Sequence, residues 1–199
     1  MKIYNQIAGK DKIIVWANKN SIPKSCPILN AIDSSKHEDI KNFSRKEEFY
    51  GVRWLLNEIY PSATISYSKT GKPILSNGKE MSISHSGDII ALAITSNQLC
   101  GIDVQELTEK TIKLRQKFLS EEEMTLINET NLVGNCLAWS SKETLFKMVD
   151  EENMPFKSCF KIKGINKLTI STSVRHQNFE GQFNLNYKVF DTFVMVYYT

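Results

Sequence analysis

The sequence predicts an α+β fold of two similar lobes, residues 1–98 and 99–199, meeting near residue 98. The order of elements predicts it: a long helical stretch precedes a hairpin, and strand, helices and strands then follow, so helix-then-strand order occurs twice. The β-branched and aromatic stretches read as a hairpin and as an antiparallel tail. The length, 199 residues with 41% hydrophobic and 24% charged side chains, suffices for a buried core in one domain or two small lobes.

Among the first thirty residues, KIIVWA is the clearest strand. Ser35-Lys36-His37-Glu38 has the form of a capping box and is expected to open one helix running to about Tyr60, where Pro61 stops it. On that helix Lys46 and Arg53 lie about two turns apart, so they are expected on one face, with Arg45 close by. SYSKTGKPIL contains a Thr-Gly-Lys-Pro turn, and MSISHSGDIIALAIT reads as two strands broken at Ser-Gly-Asp. CGIDVQEL alternates, with Cys100, Ile102 and Val104 on one face and Gly101, Asp103 and Gln105 on the other. A second capping box, Ser120 to Glu123, starts another helix. After a polar break at 131–134, CLAWSSKETLFKMV is helical, and Trp139, Glu143 and Lys147 recur at i, i+4 and i+8 along one stripe. The tail from FKIKGINKLTISTSV to the end reads as three or four antiparallel strands.

A formal charge of +3 is too small to imply a nucleic-acid partner, but it suits an anionic ligand wherever the basic residues gather. Cys26, Cys100, Cys136 and Cys159 form no CxxC pair and no metal spacing, so buried free thiols are expected rather than disulfides. The start has charges too early for a signal peptide, and no apolar run reaches membrane-spanning length. A cytoplasmic protein without a membrane contact is expected.

Four polar clusters remain once the core is assigned. Arg45, Lys46 and Arg53 are on the first helix, and Lys72 is on the Gly-Lys-Pro turn. Ser84 and His85 are on the first hairpin strand; Asp103, Gln105, Glu143 and Lys147 are in the second half. Hard oxygen ligands on a strand and a helix suit Mg²⁺, which takes one or two carboxylates and fills its octahedron with water and phosphate oxygens. The cations and histidine of the first half suit those phosphates. Taken singly, each has an ordinary reading: Glu143 and Lys147 as a surface i,i+4 pair worth a few tenths of a kcal/mol, His85 as a hydrogen-bonded strand histidine, the basic helix face as solvated. Among those helix cations only Arg53 stands out.

Together the motifs SKTGKPIL, ISHSGDIIALAI, CGIDVQEL and LAWSSKETLFK closely resemble, in order and spacing, those of the 4′-phosphopantetheinyl transferases, specifically the two-lobed Sfp-type members. The likeness covers most of residues 40 to 150, including the SRKEEFYGVRWLL helix. It implies two similar lobes in pseudo-two-fold arrangement, with coenzyme A in the cleft between them and Mg²⁺ on its pyrophosphate. It implies transfer of the phosphopantetheine arm to a serine of an acyl- or peptidyl-carrier protein, with release of adenosine 3′,5′-bisphosphate. On this resemblance Asp103, Gln105 and Glu143 hold the metal, and Glu143 also acts as base. Lys147 stabilises phosphate charge, and Lys72, Ser84, His85 and Arg53, with Arg45 or Lys46, meet the nucleotide and its phosphates. Trp139 is expected in the core or cleft wall.

Two departures stand out. Gln105 occupies a place where the family usually has Glu, and VDEENMPFK replaces a glycine-rich stretch after the catalytic helix. Glu106 cannot substitute for Gln105, since the pleat turns it to the opposite face. Gln105 is the one support for an alternative, a non-catalytic coenzyme A- or carrier-binding module. A monomer is expected, because one chain supplies both cleft walls. Phe118 and Leu119 are expected to offer apolar contact to the carrier.

Overall fold

A computed structural model describes residues 4–24, 29–151, 153–177 and 179–199. Two antiparallel sheets organise it. The first has the order β1-β2-β6-β5-β4-β3, built from β1 (Asn5–Ala8), β2 (Lys12–Asn18), β3 (Ile65–Tyr67), β4 (Pro73–Leu75), β5 (Glu80–Ser86) and β6 (Ile89–Thr95). The second has the order β7-β11-β10-β9-β8, from β7 (Gly101–Glu106), β8 (Phe160–Ile165), β9 (Thr169–His176), β10 (Phe179–Val189) and β11 (Phe193–Tyr198). All residues of the first sheet precede those of the second, and the expected tail is four strands.

One expected helix is two. α1 (Ala31–Asp39) is capped by Asn30, whose Oδ1 accepts from Asp33 N, and α2 (Phe43–Ile59) by Asn42, whose Oδ1 accepts from Arg45 N. Each Asn satisfies a backbone N–H that the helix start leaves orphaned. Ser35 therefore lies inside α1 and caps nothing. α2 does end at Tyr60, before Pro61. The other helices are α3 (Lys110–Phe118), α4 (Glu121–Leu126), α5 (Leu132–Val149) and α6 (Phe156–Cys159). α4 opens on the expected capping box, with Ser120 and Glu123 satisfying each other's backbone N–H.

Three cores follow from the pleat. One face of the first sheet, with Val15, Ile90, Leu92 and Met81, packs under α2 through Val52, Leu55 and Leu56. In the second sheet Val194, Val196, Ile170 and Leu185 pack under α5 through Leu137, Leu145 and Met148. A third core joins the sheets, with Ile14, Trp16, Ala91 and Ala93 from one meeting Cys100, Ile102, Val104 and Met195 from the other. The alternation in CGIDVQEL is thus realised: one face of β7 enters the shared core and the other faces α5. Gly101 permits this approach, since a Cβ there would lie 2.5 Å from Thr144 O and 2.6 Å from Met148 Cγ. Phe118 and Leu119 are core residues, 2% and 0% exposed, so they offer no surface to a partner. Their apolar character served α3 and α5 packing instead. Cys100, Cys136 and Cys159 are buried free thiols; Cys26 lies outside the described residues. Among the described residues no helix is long and apolar enough to cross a membrane.

Candidate active site

β7 is an edge strand of its sheet, so half of its backbone groups need partners from elsewhere. The Ser-x-Ser-x-Ser of β5 supplies them. Ser82, Ser84 and Ser86 alternate onto one face, and their hydroxyls accept from the N–H groups of Ile102, Val104 and Glu106 at 3.1, 3.1 and 3.0 Å. Hydroxyls thus replace a strand partner and stitch the first sheet to the second. The Ile102 carbonyl accepts from Lys147 Nζ at 3.0 Å. This seam is the floor of a cleft of about 920 Å³ lined from both halves.

Asp103 stands on that floor, 6% exposed. Its Oδ1 accepts from Ser84 Oγ and from Lys147 Nζ, each at 2.9 Å. Its Oδ2 is buried and has no hydrogen-bond partner among the described residues. A buried carboxylate oxygen left unpaired is costly, so Oδ2 is an atom that could hold a ligand here. Glu143, from α5, lines the same cleft. Burial, and then the charge of Asp103, push its carboxyl up to about 7, while Lys147 works in the other direction. Gln105 also lines the cleft, its Nε2 donating to Glu106 O at 2.9 Å, and its amide oxygen has no hydrogen bond among the described residues.

Between the ordinary range near 4.5 and about 7, the folded protein holds a proton on Glu143 that the unfolded chain has lost. Metal-free protein therefore loses stability as pH rises through that window and no more above it, by up to about 3 kcal/mol. Urea unfolding in EDTA at pH 5 and pH 8 is expected to show this loss, and Glu143→Gln to remove it; equal losses in both proteins would contradict it.

The first half contributes Lys72, Ser84, His85 and Arg45 to the cleft. Lys72 Nζ is paired with Glu80 at 2.9 Å, and His85 Nδ1 lies 3.6 Å from Glu48. Ser84 sits under Asp103, its hydroxyl donating to that carboxylate and accepting from Val104. Arg53 and Lys46 do not line this cleft: Arg53 lines a neighbouring cavity with Arg45 and His85, and Lys46 lines another. Arg53 is 6% exposed: it donates to Asp33 Oδ1 of α1 at 3.2 Å, and its guanidinium lies 3.5 Å from the Phe49 ring centroid. It docks α1 onto α2. Lys46 lines a separate cavity beside His37, Phe43 and Tyr50.

The stripe on α5 is realised, with Trp139, Glu143 and Lys147 all on the cleft wall. Trp139 packs edge-on to Phe118 and tilted on Phe156. Among the further wall residues, Thr70 and Asp150 carry no motif of their own in the sequence, although Asp150 continues the stripe at the helix end. Among the described residues no three His, Cys, Asp or Glu side chains cluster as a metal site; Asp103 and Glu143 are cleft carboxylates that could contribute to holding a cation together with oxygen ligands of other kinds.

No curated protein matches the chain. Residues 99–196, the half that carries Asp103, Gln105, Glu143 and Lys147, match the family model described as the 4′-phosphopantetheinyl transferase superfamily.

Proposed function

We propose that this protein transfers the phosphopantetheine arm of coenzyme A to a serine hydroxyl of a carrier protein, releasing adenosine 3′,5′-bisphosphate. The family match to residues 99–196 supports phosphopantetheine transfer as the reaction class. The observation that carries the reading is the unpaired Asp103 Oδ2 on the floor of a cleft that also holds Glu143. These donors fit Mg²⁺: two hard carboxylates with mutually unfavourable charge, plus the Gln105 amide oxygen, beside cations suited to phosphate. Asp103, Glu143 and Gln105 would hold it, and the bound ion would supply charge neutralisation on the pyrophosphate. Because ligation needs an ionised Glu143, metal affinity rises with pH through about 7.

The protein's own groups do the rest. Arg45, Lys72 and His85 receive the nucleotide and its phosphates from the first-sheet side. The carrier serine oxygen forms a new bond to the phosphorus that bears the arm, and the bond from that phosphorus to the bisphosphate leaving group breaks. Glu143, ionised as ligation requires, takes the hydroxyl proton. Lys147 uses two of its three donors on Ile102 O and Asp103 Oδ1, so one remains for a phosphate oxygen where charge develops. Phosphoryl transfer asks for this alignment and charge compensation more than for covalent help.

Ser84 acquires a role different from nucleotide contact: it holds Asp103 so that Oδ2 alone is left for the metal. Ser84→Ala is expected to weaken metal binding by about 10- to 100-fold, the range seen for groups that orient metal ligands. Ser82→Ala removes an equivalent rung of the seam without touching Asp103, and is expected to leave metal affinity within about twofold. Titration with Mn²⁺ followed by paramagnetic resonance separates the two variants; equal losses would assign Ser84 to the seam alone.

The whole reading is tested by following adenosine 3′,5′-bisphosphate release from coenzyme A in the presence of apo acyl-carrier protein and Mg²⁺. Release that requires the carrier supports transfer. Binding of coenzyme A without release, across several carriers, would replace it with the non-catalytic alternative, and release without a carrier would replace it with hydrolysis.

A further inference from the structure

The turn between β3 and β4 hangs over the cleft from the first sheet, and α5 ends beneath it in the second half. Asp150 is the C-cap of α5 with φ 54°, a left-handed conformation that glycine ordinarily fills at this position. A carboxylate at a helix C-terminus also faces the negative end of the dipole. Two local costs at one residue on a cleft wall point to a role beyond ending the helix. Its partner is in the other half: Thr70 Oγ1 donates to Asp150 Oδ1.

The bond does not stand alone. Since Thr70 spends its proton on Asp150, Ser68 Oγ must donate to Thr70 Oγ1. Ser68 Oγ in turn accepts from Lys72 N at 3.0 Å. Backbone bonds from Ser68 N to Lys72 O and from Gly71 N to Ser68 O close the turn at 2.9 and 3.1 Å. The result is one directed chain, Lys72 N–H to Ser68 to Thr70 to the Asp150 carboxylate, with every hydroxyl used as donor and acceptor. A charged terminal acceptor strengthens such a chain.

We propose that Thr70 and Asp150 are positioning residues, a relay that fixes the β3–β4 turn, and with it Lys72, over the ligand site. This rests on reading the cleft as a coenzyme A site. The relay replaces with side-chain bonds what a glycine C-cap would have left free, which accounts for a strained carboxylate at this helix end.

The test begins without ligand. Hydrogen exchange at the amides of Ser68, Gly71 and Lys72 is expected to quicken about tenfold in Thr70→Val and in Asp150→Gly, roughly the effect of losing one hydrogen bond. Asp150→Asn keeps an acceptor and tolerates the left-handed backbone, so its exchange should stay near that of the unaltered protein. Because glycine relieves the strain, Asp150→Gly should unfold at no lower temperature, which a purely structural role would not allow. With coenzyme A and a carrier, KM for coenzyme A should rise about tenfold by the same bond, with kcat moving less. Unchanged exchange in both Thr70→Val and Asp150→Gly would overturn the relay. Faster exchange without a rise in KM would overturn its positioning role. If the unaltered protein bound no coenzyme A, the transfer reading would fall, while the ligand-free exchange would still decide the relay.

Discussion

Glu143→Ala is expected to lower kcat/KM for carrier modification by at least about 10³-fold, because in the proposed reaction one side chain would serve as base and as metal ligand. The truncation should not unfold the protein. Glu143 is on the cleft wall rather than in the core beneath α5, and removing a buried carboxyl that burial disfavours relieves a cost at neutral pH. Glu143→Gln keeps the shape and should lose nearly as much activity. A variant within tenfold of the unaltered protein would remove Glu143 from the chemistry and leave Asp103 and Lys147 to account for it.

Lys142→Ala is expected to cost about 3–5 kcal/mol of stability, although the residue is next in sequence to a cleft side chain. Lys142 is 0% exposed. Its ammonium donates to Phe118 O at 2.6 Å, Glu123 Oε2 at 2.8 Å and Phe156 O at 3.2 Å, which uses all three donors. Glu123 is as fully engaged, accepting also from Ser120 N and Ile162 N at 2.7 Å each. One buried ion pair thus ties α3, α4, α5, α6 and β8. Burial pushes the Lys142 ammonium pKa down, and Glu123 opposes that shift. Removing the lysine strands a buried carboxylate and two carbonyls. Lys142→Met with Glu123→Gln should cost less than the sum of the two single changes, since no unpaired charge remains. Urea unfolding measures both; a loss below about 1 kcal/mol for Lys142→Ala would contradict the account. The knot also serves the site. It fixes the roll of α5, and with Lys142 held inward, Glu143 is turned toward Asp103.

Lys142 and Lys147 show what sequence could and could not reveal. Both lie in one amphipathic helix, and spacing alone placed 139, 143 and 147 on a common stripe, because helical period is a local property. That Lys142 is buried depends on Glu123 and on carbonyls from two other helices, and nothing within the helix announces those partners. The strands were legible for the same local reason: alternation in CGIDVQEL and in Ser82 to Ser86 survives whatever the strand packs against. The break between α1 and α2 was not, because Ser35 and Glu38 imitate a capping box while the caps used are Asn30 and Asn42. Arg53 stands out among the helix cations in the sequence, and the structure pairs it with Asp33 of its own chain. Tertiary pairing, not residue type, decides whether a buried arginine remains available to a ligand. Phe118 and Leu119 repeat the point for apolar residues, which read as surface in a charged segment and lie in the core.

The most direct measurement is the intact mass of apo acyl-carrier protein after incubation with this protein, coenzyme A and Mg²⁺, beside a Glu143→Ala control and an EDTA control. A gain of one phosphopantetheine that vanishes in both controls is expected. A carrier that stays unmodified while coenzyme A binds measurably, or that gains the same mass with Glu143→Ala, would contradict it.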